Sequence, residues 1–342
     1  MNKSFVFLCG LVAACSAGCD TEHTAEQSLW TSLASVKIDA ESGRTSAVEV
    51  PLDNLRRAIR VSAIPQGCLR VSSATSITDE QLIANSAAPN DNIWRTTTLH
   101  QVGLFVLEGA ASELTHISFE AVACDASTTG ILPTDVSIES RLSEELSHPG
   151  LRLRLVLSSA MSTELDTELL AQLIGFELEL DITVTAVETI ADKDLIMQNQ
   201  TDFSPMGDLL ASLPTKTADT IDVIIGPCLL QQTSFGQQRL AGLTPRIPGG
   251  AGPADAVFIA RTNCDFEHSS PGSETAIARL AAHEIGHYLG LAHPEELNGS
   301  EDDLPSTNNN NLMNRIPLSA NATGLTAEQR ERILAHPFVI DL

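Results

Sequence analysis

The chain has 342 residues, 44 of them acidic and 20 basic, for a formal charge of −24 at pH 7. That length is enough for about two domains, each with its own core. The negative excess, with no basic patch or aromatic-rich stripe to offset it, excludes a nucleic-acid surface, which needs a concentrated positive field.

In chain order, Lys3 precedes an apolar run from Phe5 to Ala14, too short for an ordinary transmembrane helix and read here as a secretory signal. Two segments follow in which small residues precede a cysteine, Val12-Ala13-Ala14-Cys15 and Ser16-Ala17-Gly18-Cys19. Both resemble the lipobox of bacterial lipoproteins. The resemblance implies export to the cell envelope and a lipid anchor on Cys15 or Cys19, with plain secretion as the rival reading. No later apolar run reaches transmembrane length, so the only expected membrane contact is through that anchor. Cys68, Cys124, Cys228 and Cys264 remain beyond the signal. In an exported protein they predict two disulfides, with Cys68–Cys124 and Cys228–Cys264 the first choice among three connectivities. A thiolate at Cys68 capping a metal is the alternative for that residue.

After a linker at 20–28, residues 29–146 read as all-β. Apolar residues alternate at Val36/Ile38, Val48/Val50, Ile59/Val61 and Ile117/Phe119/Ala121. The more continuous run Gln101–Leu107 predicts a strand buried on both faces. A sandwich-like accessory or pro-domain suits this pattern. Ser147-His148-Pro149-Gly150 marks a boundary, and residues 147–342 mix strands with helices. Leu151, Leu153, Leu155 and Leu157 alternate as a strand, and a helix follows over Glu164–Ile174. Strands are expected at Asp181–Ile190, Ile221–Gly226 and Ala256–Ala260, with a short helix near Met206–Leu213. The glycines and prolines of Gly242–Gly250 forbid a central strand, so this segment is an exposed loop or an irregular edge.

The stretch from His283 to His293 reads HExxHxxGxxH. On a helix His283 and His287 project from one face toward a common point, and Glu284 flanks that face. A continuous helix would carry a third histidine away; Gly290 can take φ > 0, end the helix and return His293. Nearly every other position from Ala276 to Leu289 is apolar, which makes this a buried helix. Imidazoles and a carboxylate on such a helix must be ligated or hydrogen-bonded, because unpaired burial costs several kcal/mol. Ser273 is a candidate N-cap for it, and Thr326-Ala327-Glu328-Gln329 a capping box for a last helix ending near Pro337.

On this motif, and on Asn311-Leu312-Met313-Asn314 downstream, the chain resembles the metzincin clan of zinc metalloendopeptidases. The resemblance implies Zn²⁺ held by His283, His287 and His293, Glu284 as general base to a zinc-activated water, and Met313 as the turn methionine supporting the site. It also implies a protein or peptide substrate and a twisted mixed sheet over the active-site helix. The fold class expected is therefore α+β, a metzincin-like domain preceded by a β-sandwich-like one. Tyr288 is the only tyrosine, so the turn-tyrosine ligand of astacin-like and serralysin-like members is absent. Pro294 stands where several subfamilies carry an acidic or small polar residue. The subfamily, matrixin-like or pappalysin-like, stays open, as does the oligomeric state. A zinc-binding adhesion protein with negligible turnover is the rival from another class, and an esterase or deacylase a third. Glu301-Asp302-Asp303 and Asn308–Asn311 could hold calcium, but a solvated loop is favoured. Among the other histidines only His268, shortly before the helix, draws notice.

Overall fold

In a computed structural model of the chain the described residues are 30–51, 57–65, 67–79, 99–100, 102–107, 114–123, 132–142, 146–199, 202–250, 252, 254–260, 273–294, 311–314 and 324–342. Cys15, Cys19, the 20–28 linker, Cys124, Cys264 and His268 lie outside them, as do the calcium candidates Glu301, Asp302, Asp303 and Asn308–Asn310.

The N-terminal part supplies β1 (Thr31–Lys37), β2 (Val48–Glu49), β3 (Arg57–Ile64), β4 (Cys68–Ser76), β5 (Leu99–His100), β6 (Val102–Leu107), β7 (Leu114–Val122) and β8 (Asp135–Leu142). They pair antiparallel in two four-stranded sheets, ordered β1-β8-β3-β6 and β2-β7-β4-β5. Period-two alternation puts Ile59, Val61 and Ala63 on one face of β3, where they meet Val136 and Ile138 of β8. Leu69, Val71, Ile117 and Phe119 of the other sheet join the same cluster. Apolar alternation did not reveal β4 or β8, because serines and charges occupy their outward positions. In β6, Gly103 to Val106 are buried in succession, as the continuous apolar run predicted.

The C-terminal part runs β9 (Pro149–Ser158), α1 (Thr167–Leu178), β10 (Asp181–Ile190), β11 (Leu195–Met197), α2 (Ser204–Ser212), β12 (Thr220–Ile225), β13 (Leu229–Thr233), β14 (Gly236–Leu240), β15 (Gly242–Leu243), β16 (Val257–Ile259), α3 (Glu274–Tyr288), α4 (Ala327–Ala335) and β17 (Ile340–Asp341). A mixed sheet has the order β10-β9-β12-β16-β15, with β17 beside the start of β9. β9, β10, β12 and β16 are mutually parallel; β15 and β17 run antiparallel. The central strands β12 and β16 are buried along their whole length, as expected of a sheet covered on both faces, whereas the outer strand β10 alternates between exposed and half-buried positions. Ile221, Val223 and Ile225 of β12 pack with Leu170 and Ile174 of α1 and Ile277 and Ile285 of α3. On the reverse face Ile224 packs with Val156, Phe258 and Met206 of α2.

The helix expected from Glu164 begins at Thr167 because Asp166 caps it, its carboxylate accepting from the Glu168 and Leu169 amides. Both ends of α1 are tied to the first half of α3. The Glu274 carboxylate accepts from the Asp166 amide at 2.8 Å, and Arg279 pairs with Glu177 at 3.0 Å. The two parts of the chain meet where Arg141 of β8 pairs with Asp219 at 2.8 Å, and where Leu104 of β6 and Phe338 close on Gly250.

Cys68 and Cys228 are buried and neither is a free thiol, which removes Cys68 as a thiolate cap. Among the described residues no helix is long and apolar enough to cross a membrane.

Candidate metal centre

α3 starts where the sequence placed it, with Ser273 Oγ accepting from the Ala276 amide. Its end explains the third histidine. Gly290 has φ +100°, its amide donates to the His287 carbonyl, and the Leu291 amide donates back to the Gly286 carbonyl. This pair of bonds is the Schellman motif, which needs a left-handed residue at the position Gly290 fills. The chain turns, and His293 returns to the helix face it would otherwise have left.

The three imidazoles converge. His287 Nε2 lies 3.1 Å from His293 Nε2, which lies 3.3 Å from His283 Nε2. His283 Nδ1 faces the Leu312 carbonyl and His287 Nδ1 faces the Leu291 carbonyl, each at 2.8 Å. A carbonyl can only accept, so Nδ1 carries the proton in both rings and each neutral ring offers its Nε2 lone pair to the common point. Burial, aided by the charge of His293 and opposed by the Leu312 bond, holds the His283 pKa down to about 4. Lone pairs crowded this closely repel one another unless a proton or a metal cation sits among them. Nitrogens at about 2.0–2.1 Å from one tetrahedral ion lie about 3.3 Å apart, close to the separations observed. The donor set therefore fits a zinc-like ion.

Glu284 is buried beside this cluster. Its Oε2 accepts from Thr244 Oγ1 at 3.0 Å, and the same hydroxyl lies 2.7 Å from the Glu284 carbonyl. A Cβ on Gly242 would come within 2.5 Å of Glu284 Oε1, so the carboxylate has room only because this strand residue is glycine. Burial pushes the Glu284 pKa up to about 8, with the Thr244 bonds pulling the other way. A cation held by the imidazoles acts in the same sense as Thr244, favouring the carboxylate.

Met313 packs against α3 at Gly286. A Cβ on Gly286 would come within 2.5 Å of its sulfur, so the glycine inside the motif lets the methionine approach the helix. The segment expected to be an irregular edge is one. β15 borders the sheet and leads into Thr244, and the Gly249 amide donates to the Tyr288 carbonyl at 2.8 Å. Tyr288 is fully buried in the core cluster, with His336 and Phe338 as ring neighbours.

The motif names His283, Glu284, His287 and His293; the structure gathers the three imidazoles and buries the Glu284 carboxylate against Thr244. The motif does not reveal Thr244 or Gly242. The one available signal was the glycine-rich run 242–250, whose small residues report a close approach to α3.

No protein-family profile and no curated protein matches the chain. Among solved structures it is similar to metalloproteinase-II from Bacteroides fragilis, at 14% identity and a TM-score of 0.37, over 68% of this chain and 65% of that one. It is also similar to a zinc-dependent peptidase from Methanocorpusculum labreanum (16% identity, TM-score 0.34, 53% of this chain and 99% of that one). A third is an archaemetzincin from Methanopyrus kandleri (12% identity, TM-score 0.33, 54% and 93%). The chain spans just under two thirds of the Bacteroides protein's length.

Proposed function

We propose that this chain is a zinc-dependent endopeptidase. The observation that supports it most is the convergence of three Nε2 lone pairs, two of them fixed by Nδ1–H bonds to carbonyls, beside a buried carboxylate that joins no part of the three-histidine group. His283, His287 and His293 would hold the ion. Bound zinc supplies a Lewis acid that acidifies water and polarises a carbonyl.

The rest of the chemistry falls to the chain's own residues. Glu284 takes the proton of the attacking water on its carboxylate and returns it to the leaving amine, the two halves of general acid–base catalysis. Thr244 fixes Oε2 while it does so. β15 pairs only with β16 among the described residues, so its outer edge offers backbone groups to an extended peptide. Hydrolysis of an amide accounts for a positioned carboxylate base and a strand edge together; a binding protein has no need of the base.

The test separates metal binding from turnover. Glu284→Ala should keep about one zinc per chain, since the three imidazoles are untouched, while cleavage of a peptide library falls at least ~10²-fold. His283→Ala, His287→Ala and His293→Ala should lose zinc as well. Wild-type cleavage rates in Glu284→Ala would refute the mechanism. Zinc binding without any cleavage by the wild type would favour the adhesion-protein reading.

A further inference from the structure

We propose that the buried side-chain amides of Asn311 and Gln329 form a clasp that positions His283 for metal binding, making the Gln329 side chain on the last helix a working part of the site. The proposal rests on the metal-site reading above.

The two amides face each other and bond twice. Asn311 Nδ2 donates to Gln329 Oε1 at 2.7 Å, and Gln329 Nε2 donates to Asn311 Oδ1 at 3.1 Å. Each oxygen takes a second bond from a backbone amide. The Met313 amide donates to Asn311 Oδ1 at 2.9 Å, and the Thr326 amide donates to Gln329 Oε1 at 3.0 Å. The network fixes both amide orientations, because a flipped Asn311 would set its NH₂ against the Met313 N–H. Both residues are almost wholly buried, at 4% and 2% exposure, so an unmade bond there has no water to replace it.

One end of the clasp is the capping box of α4, in which Thr326 Oγ1 also accepts from the Gln329 amide. The other end is the turn Asn311–Asn314, closed by the Asn314 amide on the Asn311 carbonyl and by the Leu312 amide on the Gly324 carbonyl. That turn carries two groups of the site, Met313 against Gly286 and the Leu312 carbonyl that accepts from His283 Nδ1. A ring whose Nδ1–H is held by a fixed carbonyl presents Nε2 in one tautomer and one direction. Gln329 therefore acts on His283 through Asn311 and the Leu312 carbonyl, without touching metal or substrate. An ordinary capping box needs only Thr326 and the Gln329 acceptor; the reciprocal bond to Asn311 is surplus to helix capping.

The test uses the full chain and two readouts besides activity, zinc affinity by competition with a chromophoric chelator and the His283 ring by ¹⁵N NMR of metal-free protein. Gln329→Leu and Asn311→Ser should each weaken zinc binding about 10–100-fold, the range for losing an outer partner of a metal ligand. The double variant should be no weaker than the worse single one, because both break the same unit. The Nδ1–H resonance of His283 should weaken or exchange faster in both. Thr326→Ala is the control. It removes the cap hydroxyl and lowers Tm by about 2–8 °C, yet should leave zinc affinity and the His283 signal unchanged.

If Gln329→Leu and Asn311→Ser bind zinc as Thr326→Ala does, with His283 unaltered, the clasp has no positioning role. If Gln329→Leu does not fold, Asn311→Ser alone decides. If the wild type takes up no zinc, the metal-site reading falls separately. The His283 signal then decides whether the clasp holds the ring, its loss in Asn311→Ser supporting the positioning role and its persistence refuting it.

Discussion

Thr244 has one proton to give and two acceptors within reach, the Glu284 carbonyl and its Oε2. The hydroxyl thus clamps the helix backbone and the carboxylate of the same residue to the sheet edge. Thr244→Val keeps the shape and removes both bonds. Zinc content should stay at the wild-type level while kcat/KM for peptide cleavage drops about 10-fold, about 1.4 kcal/mol and near the low end for a hydrogen bond to a charged group. Metal analysis alongside steady-state kinetics checks this, and an unchanged kcat/KM would remove Thr244 from the site. The residue was invisible in the sequence for a simple reason. The ligands and Glu284 fall within one helix and its cap, where spacing dictates direction, whereas Thr244 reaches Glu284 across 40 residues, and no periodicity encodes such a contact.

Elements with regular burial were legible, and those held by irregular contacts were not. α3 announced itself through apolar positions and the Ser273 cap, and α4 through Thr326 and Gln329. β10 and β12 carry enough β-branched residues to stand out. The hairpin of β13 and β14 did not, since Gln231-Gln232-Thr233-Ser234-Phe235-Gly236-Gln237-Gln238 has no apolar face and Phe235 is wholly exposed. The end of α3 was legible because one glycine does the work. At Gly290 a methyl group would meet nothing closer than 3.8 Å, so Gly290→Ala isolates the backbone conformation at φ +100°. It should cost about 1–3 kcal/mol of stability and weaken zinc binding by displacing His293, as read by thermal melts with and without chelator. A melt and an affinity both equal to wild type would mean that the turn does not depend on glycine.

For the molecule as a whole, acid is the revealing variable. His336 is buried where α4 ends, against Tyr288 and Phe338, and accepts from the Phe338 amide at Nδ1. Burial first, and then the charge of Arg141 from β8, hold its pKa down to about 3, with Gly249 opposing them. Above pH 6.5 neither folded nor unfolded chain carries a proton there, and stability is unaffected. As pH falls from 6.5 toward 3 the unfolded chain takes up a proton that the folded one refuses, so stability is lost at up to about 1.4 kcal/mol per pH unit. Urea titrations of chelated protein between pH 7 and 4 should show His336→Phe with a shallower pH slope than wild type by about one proton. Equal slopes would show that His336 is free to ionise in the fold. No spacing in the chain hinted at this, because a histidine beside Pro337 owes its low pKa chiefly to burial by residues distant in sequence, and only then to Arg141 of the N-terminal sheets.

The three ligands also differ in how far along the chain their supports lie. His287 is steadied by a carbonyl four residues away, and His293 by the turn at Gly290, so both arise from local structure. His283 waits for a carbonyl 29 residues distant. Local contacts form early and distant ones late, because closing the longer loop costs more entropy. A refolding chain should therefore first display a two-imidazole site that exchanges metal freely, and gain a third fixed ligand only when the C-terminal segment docks. Slow metal release then becomes a clock for that final docking, readable by adding chelator at successive times after dilution from denaturant.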